Sequence, residues 1–207
     1  MPYGLSLASG PASEPLTLAE AKKQVELATQ DTAHDEHLLR LIAAARKYAE
    51  DYTGRAIVTQ TWDLYLDKWP VKRGELTVWL PKPPLQSVTF VKYYDGDGVQ
   101  QTWSSANYVV RTSREPGCIS LAYGISWPTF RFQPDTINIR YVAGYGARTS
   151  VPENMKAAML LMVGHWFSHR EEVVTGTIAT EIPFAAHALL DTLRVGDEFQ
   201  CYSDAQV

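Results

Sequence analysis

Cysteine is scarce in this sequence, since the 207 residues include only two, Cys118 and Cys201. They lie far apart and fit no metal-binding spacing, so two reduced thiols are favoured over a disulfide. The first residues also lack the basic and apolar segments of a secretory signal peptide. We therefore expect a protein that folds around an ordinary hydrophobic core without covalent cross-links.

Basic residues are in short supply as well. The chain has 19 Lys plus Arg against 23 Asp plus Glu, a formal net charge of −4. This balance disfavours a protein that holds DNA on a broad basic face, because such binding depends on neutralising phosphates. A mildly acidic surface is still compatible with double-stranded DNA that passes by without being held.

Catalytic motifs are missing too. The sequence contains no GxSxG, GxGxxG or GxxxxGK[ST], which would indicate a serine nucleophile or a nucleotide-binding loop. His165 and His169 are four residues apart and Glu172 follows, but HWFSH lacks the adjacent glutamate of the zinc motif HExxH. A metal hydrolase built on these three residues is therefore the weaker interpretation. The stronger one is that these polar side chains lie at the end of an otherwise buried helix. We expect no enzyme, no metal and no cofactor.

The clearest helical pattern is SVPENMKAAMLLMVGHWFSHR, residues 150–170. Ser150 and Glu153 have the spacing of a capping box, and apolar residues such as Met159 and Trp166 occupy much of the helix circumference. Charged residues interrupt the long uncharged run that a membrane span needs. The pattern predicts the enclosed central helix of a core.

Three further helices are predicted, over residues 16–29, 37–53 and 183–196. Thr17 and Glu20 form a capping box at the start of the first helix. Leu38 and Leu41 belong to the apolar stripe of the second helix, and Gly54 is expected to end it.

The stretch between the second helix and the central helix changes to a period of two, which is typical of strands. Asp95-Gly96-Asp97-Gly98 has the composition of a hairpin turn, and Gly117 lies in a second turn where positive φ is expected. The tryptophans favour a sheet core, with a face that stacks on a sugar or base as the open alternative. The predicted strands cover residues 57–68, 75–80, 88–94, 99–103, 108–112, 118–121 and 136–142.

Together these patterns predict an α+β protein. A small bundle of about four helices carries an antiparallel β-sheet or sandwich subdomain inserted between helices 2 and 3. The expected parts are an N-terminal arm at 1–15, a helical core at 16–56 and 147–195, an inserted β subdomain at 57–146 and a C-terminal tail at 196–207.

The order of segments resembles the head-tail connector (adaptor) proteins of long-tailed bacteriophages and gene transfer agents. The resemblance starts with LTLAEAKKQVELATQDTAHDEHLLRLIAAARKYAEDYTGRAIVTQTWDLYLDKWP at residues 16–70. It continues in the same order with PKPPLQSVTFVKYYDGDG at 81–98, VAGYG at 142–146, VPENMKAAMLLMVGHWFSHRE at 151–171 and VVTGTIATEIPFAAHALL at 173–190. The tail from Gly196 onward does not match.

The resemblance implies a structural protein of the virion neck, made in the cytoplasm of a bacterial host. Family members form a ring, expected to be a dodecamer, beneath the portal protein of the DNA-filled head, and present a surface to the next neck, stopper or tail protein. Double-stranded DNA leaves through the lumen without specific binding, and no membrane is involved. In such rings the helical part makes the contacts between subunits, the chain end can insert into the portal, and the β insert lies outside.

Three sets of residues follow as candidate contact sites. A loop of small, uncharged residues is expected to face the lumen or the adjoining ring, the aromatic residues of the tail to anchor it in the portal or a neighbour, and the helix faces to meet the next subunit. The alternative function is a ligand- or carbohydrate-binding β-domain protein of the virion. The candidates are Thr175, Gly176, Thr177 and Thr180 in the loop, Phe199 and Tyr202 in the tail, and Leu38, Leu41, Met159 and Trp166 on the helices.

Overall fold

A computed structural model describes residues 3–69, 76–169 and 184–196. The described chain divides into two compact units. The helical unit holds the described residues of Ala12–Val58 and Tyr145–Val195, and the β unit holds those of Met1–Pro11, Thr59–Gly144 and Gly196–Val207. Four helices and antiparallel sheets confirm the predicted α+β class for the described residues. In this part of the chain, no helix has both the length and the apolar character needed to cross a membrane.

The helical unit contains α1 (Leu18–Gln24), α2 (Asp35–Thr53), α3 (Glu153–Ser168) and α4 (Phe184–Asp191). The capping box at the start of α1 is confirmed, because the Thr17 hydroxyl accepts the Glu20 N–H and the Glu20 carboxylate accepts the Thr17 N–H. This helix ends earlier than predicted, since Glu26 adopts a left-handed φ of 58° soon after it. Gly54 ends α2 as predicted, with a φ of 73° that favours glycine.

The start of α3 differs from its prediction. Ser150 belongs to a separate 3₁₀ turn, Arg148–Ser150, and Pro152 takes the cap position with no side-chain hydrogen bond. The predicted capping box of Ser150 and Glu153 is therefore wrong, because the serine lies two residues before the cap. Instead, the Asn154 side-chain oxygen accepts the N–H of Met155 at 3.0 Å.

The core of the helical unit forms between α2 and α3, with α1 and α4 packed against them. A partly buried ion network crosses its edge: Arg46 donates to Glu14 (Nε to Oε2, 2.8 Å) and to the buried Glu50 (Nη1 to Oε2, 3.0 Å). Glu50 also accepts the N–H of Ile57 at 3.2 Å. This network fixes the segment before α1 and the segment after α2 to the same helix. The fully buried apolar residues of α2 and α3 are Leu38, Ile42, Ala45, Ala49, Met155, Ala158, Met159, Met162 and Val163.

The β unit has eight strands among the described residues, which form two antiparallel sheets. The strands are β1 (Gly4–Ser9), β2 (Gln60–Leu66), β3 (Thr77–Trp79), β4 (Leu85–Tyr94), β5 (Gln100–Trp103), β6 (Tyr108–Arg111), β7 (Cys118–Leu121) and β8 (Ile137–Ala143). The larger sheet has the order β1-β2-β8-β4-β5 and the smaller the order β3-β7-β6. All seven predicted strands are present, with ends shifted by up to three residues.

Strand β1 lies within the segment expected to be an N-terminal arm. It pairs with β2, with Gly4 opposite Tyr65 and Leu7 opposite Trp62. Part of the expected arm is thus an edge strand of the larger sheet. Its partner lies far along the chain, so its own composition does not indicate the pairing.

The two predicted turns both connect neighbouring strands. Between β4 and β5, the Asp95 carboxylate accepts a hydrogen bond from the Gln101 side chain and further bonds from the N–H groups of Val99 and Asp97, and these bonds hold the pKa of Asp95 below its usual range. Gly117, between β6 and β7, does not have the predicted positive φ. A Cβ there would lie 2.3 Å from the Cβ of Leu85, so close packing is what requires glycine.

Candidate interaction surface of the helical unit

A stripe of half-buried, mostly aromatic side chains runs across α2, α3 and α4. We call it the aromatic stripe. Its α2 members recur at helical spacing and so share one face of that helix. Each side chain of the stripe packs on the helical unit and keeps part of its own surface open to solvent. The stripe consists of His34, His37, Leu41, Tyr48, Tyr52, Trp166, Phe167 and His187.

At one end of the stripe, the last turn of α3 meets the first turn of α2. The ring of Phe167 lies edge-on to His34, with centroids 5.5 Å apart, and contacts His37 at 5.9 Å. These contacts fix the direction in which the end of α3 presents its aromatic side chains.

At the other end, Tyr48 organises the contacts. Its ring meets Trp166 edge-on at 6.4 Å and stacks with Tyr52 at 6.0 Å. His187 of α4 packs edge-on against both tyrosines, and its Nε2 lies 3.3 Å from the Tyr48 hydroxyl. The three helices are thus joined through the stripe itself.

The outer end of the stripe is also held by charge. The Tyr52 hydroxyl donates to Asp191 Oδ1 at 2.6 Å, and this bond raises the pKa of Tyr52 above its usual value. The Arg194 guanidinium lies 5.9 Å from the centroid of the Tyr52 ring. The side chains therefore occupy defined positions before any partner binds, which lowers the entropy that association costs.

The predicted helix-face residues divide into two pairs. Leu38 and Met159 are fully buried in the core of the helical unit, so they have no surface left for a neighbouring subunit. They fail as contact residues because their faces point toward the other helices of the same chain. Leu41 and Trp166 lie on the aromatic stripe and keep part of their surface exposed.

The other predicted contact residues lie outside the described residues and remain predictions. They are Thr175, Gly176, Thr177 and Thr180 in the loop and Phe199 and Tyr202 in the tail.

Sequence reasoning missed most of the stripe. Tyr48 and Tyr52 fall on the apolar pattern of α2, which signals a core face but does not separate buried from half-buried positions. The part played by His187 depends on where α4 packs, and no local pattern indicates that. The aromatic residues themselves were a signal for half-buried positions. Tyrosine and tryptophan favour sites where the ring packs on apolar groups and the polar end contacts water.

The histidines considered for a metal lie at the end of α3. Nδ1 of His169 is 3.0 Å from the carbonyl oxygen of His165, and the two rings are 4.7 Å apart. Glu172 lies outside the described residues. Over residues 3–69, 76–169 and 184–196, no three His, Cys, Asp or Glu side chains are grouped as metal ligands.

Three tryptophans of the β unit form a cluster in which Trp69 stacks on Trp127 at 4.4 Å and contacts Trp103 at 5.6 Å. Trp69 and Trp103 are buried, so their faces pack against protein and have no room for a ligand. A separate cleft of about 280 Å³ lies on the larger sheet. Its lining includes Tyr65, Lys92, Tyr94, Gln100 and Asn138.

Residues 15–183 match the family model described as head completion protein. No curated protein matches the chain at a significant level.

Three solved structures contain chains of similar fold. A chain from the neck of an empty GTA particle computed with C6 symmetry is 22% identical, with a TM-score of 0.75 over 93% of this chain and 96% of that one. A chain from the virion of a native gene transfer agent (GTA) particle is 22% identical, with a TM-score of 0.72 over 93% and 95%. A chain from the neck of a native GTA particle computed with C12 symmetry is 20% identical, with a TM-score of 0.67 over 93% and 96%. Because the family model spans well over half of the sequence, the predicted resemblance is confirmed, and the chain belongs to the head completion protein family.

Proposed function

We propose that the protein is a structural head-tail connector of a phage-like virion. It forms a ring, expected to be a dodecamer, beneath the portal protein and links the DNA-filled head to the next neck, stopper or tail protein. It acts by binding alone and catalyses no reaction. The observation that carries the proposal is the family match over residues 15–183, and the chains of similar fold in GTA necks support it.

The aromatic stripe is the surface proposed to contact the neighbouring subunit. Half-exposed aromatic side chains with polar tips are enriched at protein interfaces and often supply most of the binding energy. In a ring, each subunit has two interfaces of the same kind, so a modest contact at Leu41 and Trp166 is repeated around the circle. Stability is then shared between the subunit and the assembly.

The charge of the chain fits a channel for DNA. A net charge of −4 gives no broad basic face that would hold a phosphate backbone. Double-stranded DNA can therefore leave through the lumen without specific binding. The site of action is the virion neck, and synthesis takes place in the cytoplasm of the bacterial host.

The predicted tail and loop contacts belong to the same proposal. Replacing Phe199 and Tyr202 by alanine is expected to leave the fold intact and to give heads without tails, so normal tail attachment would contradict the anchoring role. A cysteine at Thr177 is expected to be protected from labelling in assembled particles by DNA or by the adjoining ring. Protection that depends on neither would contradict the loop prediction.

The experiment that tests the function is imaging of the purified protein with and without its portal protein, combined with mass spectrometry of purified particles. Rings or caps on the portal, and a copy number in particles that matches the ring, are the expected results. A protein that is absent from particles and leaves the portal bare would refute the proposal. A monomer in free solution is compatible with it, because the portal can supply the circular template.

The cleft on the larger sheet favours one second candidate, a ligand- or carbohydrate-binding role in the virion. Tyrosine, glutamine and asparagine side chains are suited to recognising sugar hydroxyls, and they line the cleft together with Lys92. Binding of glycans by the full chain, abolished by Lys92→Ala, would support this role. Equal binding by that variant would exclude the cleft as its site.

A further inference from the structure

The larger sheet of the β unit has two outer strands, β1 and β5. Within the described residues, β1 pairs with β2 on one side and β5 pairs with β4 on one side, and neither has a strand on its other side. A free edge presents a row of backbone N–H and C=O groups that can pair with a further strand.

Both edges lack most of the features that usually prevent strand addition. Gly4–Ser9 and Gln100–Trp103 contain no charged residue and no proline. Every residue of β1 except Leu5 is exposed, and Leu7 keeps 50% of its surface open. Two protective features remain. Strand β5 has only four residues, and an irregularity between Leu7 and Ser9 leaves Gly4–Leu7 as the regular part of the β1 edge.

The smaller sheet provides a contrast within the same unit. Its outer strand β3 has three residues, too few for extended pairing, and its other outer strand β6 ends in the exposed Arg111. Short strands and charged residues are common protections of sheet edges. The open edges are therefore a property of one sheet and not of the whole unit.

The directions of the strands decide which pairing can repeat. Each neighbouring pair in the order β1-β2-β8-β4-β5 is antiparallel, so β1 and β5 point the same way. Two copies related by rotation about an axis along the strands would bring β5 of one beside β1 of the next, in parallel. That contact joins two different surfaces and can repeat around a circle, whereas β1 against β1 would stop at a dimer.

We infer that β1 of one subunit adds to β5 of the next, so that the larger sheets of neighbouring copies are joined by backbone hydrogen bonds. The regular part of β1, Gly4–Leu7, matches the four residues of β5 in length. This inference rests on the proposed ring, and it names a contact that is separate from the aromatic stripe. Its partner is a second copy of this chain.

Cysteine cross-linking in assembled particles tests the pairing. Ser6 and Thr102 lie on the same face of the sheet, because directly opposite residues share a face. Ser6 is opposite Asp63, which is opposite Arg140 on β8, and Arg140 is opposite Phe90 on β4. Lys92 lies two residues after Phe90, on the same face, and is opposite Thr102. We would combine Ser6→Cys with Thr102→Cys, and separately with Gln100→Cys, in a chain carrying Cys201→Ser. Mild oxidation is expected to give a ladder of multimers from at least one pair and monomers from each single variant.

The other outcomes separate this inference from the proposed function. Particles that contain the protein in a ring but give no ladder from either pair would overturn the inference and leave the proposed function standing. Dimers from Ser6→Cys alone would also overturn it, because they indicate β1 against β1. Absence of the unmodified protein from particles would refute both.

A charge on the edge gives an independent test with a matched control. Leu7→Lys places an ammonium group on the proposed contact, and Val109→Lys places one on β6 at a side chain that is 51% exposed. Leu7→Lys is expected to lower the fraction of closed rings at least tenfold, while Val109→Lys leaves it unchanged and both variants unfold at the urea concentration of the unmodified chain. Equal ring formation by the two variants would overturn the inference.

Discussion

The proposed subunit contact can be tested with two leucines on one helix. Leu41 lies on the aromatic stripe of α2, where it is half-buried against the core. Leu39 lies two positions earlier, on nearly the opposite side of the helix, and is 48% exposed. Replacing each by glutamate makes the same chemical change on two faces of the same element.

The expected magnitude follows from burial. A fully buried leucine contributes about 1.5 to 3 kcal/mol, and Leu41 already buries part of its surface within the subunit, so the contact adds about 1 kcal/mol. A carboxylate enclosed there without a cation costs roughly 2 to 3 kcal/mol more. The sum of about 3 to 4 kcal/mol weakens each contact roughly 10² to 10³-fold. At Leu39, we expect a change of less than about 0.5 kcal/mol.

The assay is the copy number of the protein in purified particles, together with ring formation on the portal. Leu41→Glu also removes packing within the subunit, so its free energy of unfolding is expected to fall by about 1 to 2 kcal/mol. A second variant, Leu41→Ala, has a similar effect on the fold but adds no charge to the contact. Leu41→Glu should therefore assemble far less well than Leu41→Ala, although both subunits remain folded.

The reasoning is refuted if Leu41→Glu and Leu39→Glu assemble equally well while both are folded. Loss of assembly in Leu39→Glu alone would place the contact on the opposite face of α2. Equal losses in Leu41→Glu and Leu41→Ala would show that fold stability, and not the contact, controls assembly.

Three further predictions concern the fold that presents these surfaces. Arg46→Met removes the guanidinium that neutralises Glu50, and we expect the free energy of unfolding, measured with urea, to fall by about 3 to 5 kcal/mol. Adding Glu50→Gln to this variant should recover at least half of that loss. No recovery would contradict the role of charge. Gly117→Ala places a methyl group 2.3 Å from a neighbouring side chain and should cost about 1 to 3 kcal/mol, whereas Gly96→Ala, with nothing within 4 Å, should unfold like the unmodified chain. Burial raises the pKa of the Cys118 thiol, so a thiol reagent at pH 8 should modify it only after unfolding, and rapid modification of the native protein would contradict this.

Local patterns predicted most elements because their signals lie within the elements themselves. The Thr17 capping box and the positive φ of Gly54 depend on a few neighbouring residues, and the structure contains both. The period-two pattern likewise located the seven strands from β2 to β8. Features that failed depend on distant parts of the chain: β1 has its partner in β2, and Gly117 is required by Leu85, which belongs to another strand.

The candidate surface was harder to predict than the fold for a related reason. An apolar residue at helical spacing signals a face that is covered, but the sequence does not say whether the same chain or another chain covers it. Leu38 and Leu41 belong to the same pattern, yet only Leu41 keeps exposed surface. That difference depends on how far α3 and α4 cover α2, which is a matter of tertiary packing.

The aromatic stripe and the pairing of β1 with β5 would play different parts in a ring, the first in affinity and the second in geometry. Side-chain contacts such as those of the aromatic stripe supply affinity, but apolar surfaces tolerate small shifts and set geometry only loosely. Backbone pairing at a strand edge fixes direction and register, because a slip by one residue turns every side chain to the other face. A ring that must match the symmetry of a portal needs both affinity and a defined geometry. We therefore expect Leu41→Glu to lower the amount of protein bound, and Leu7→Lys to leave bound subunits that fail to close the ring.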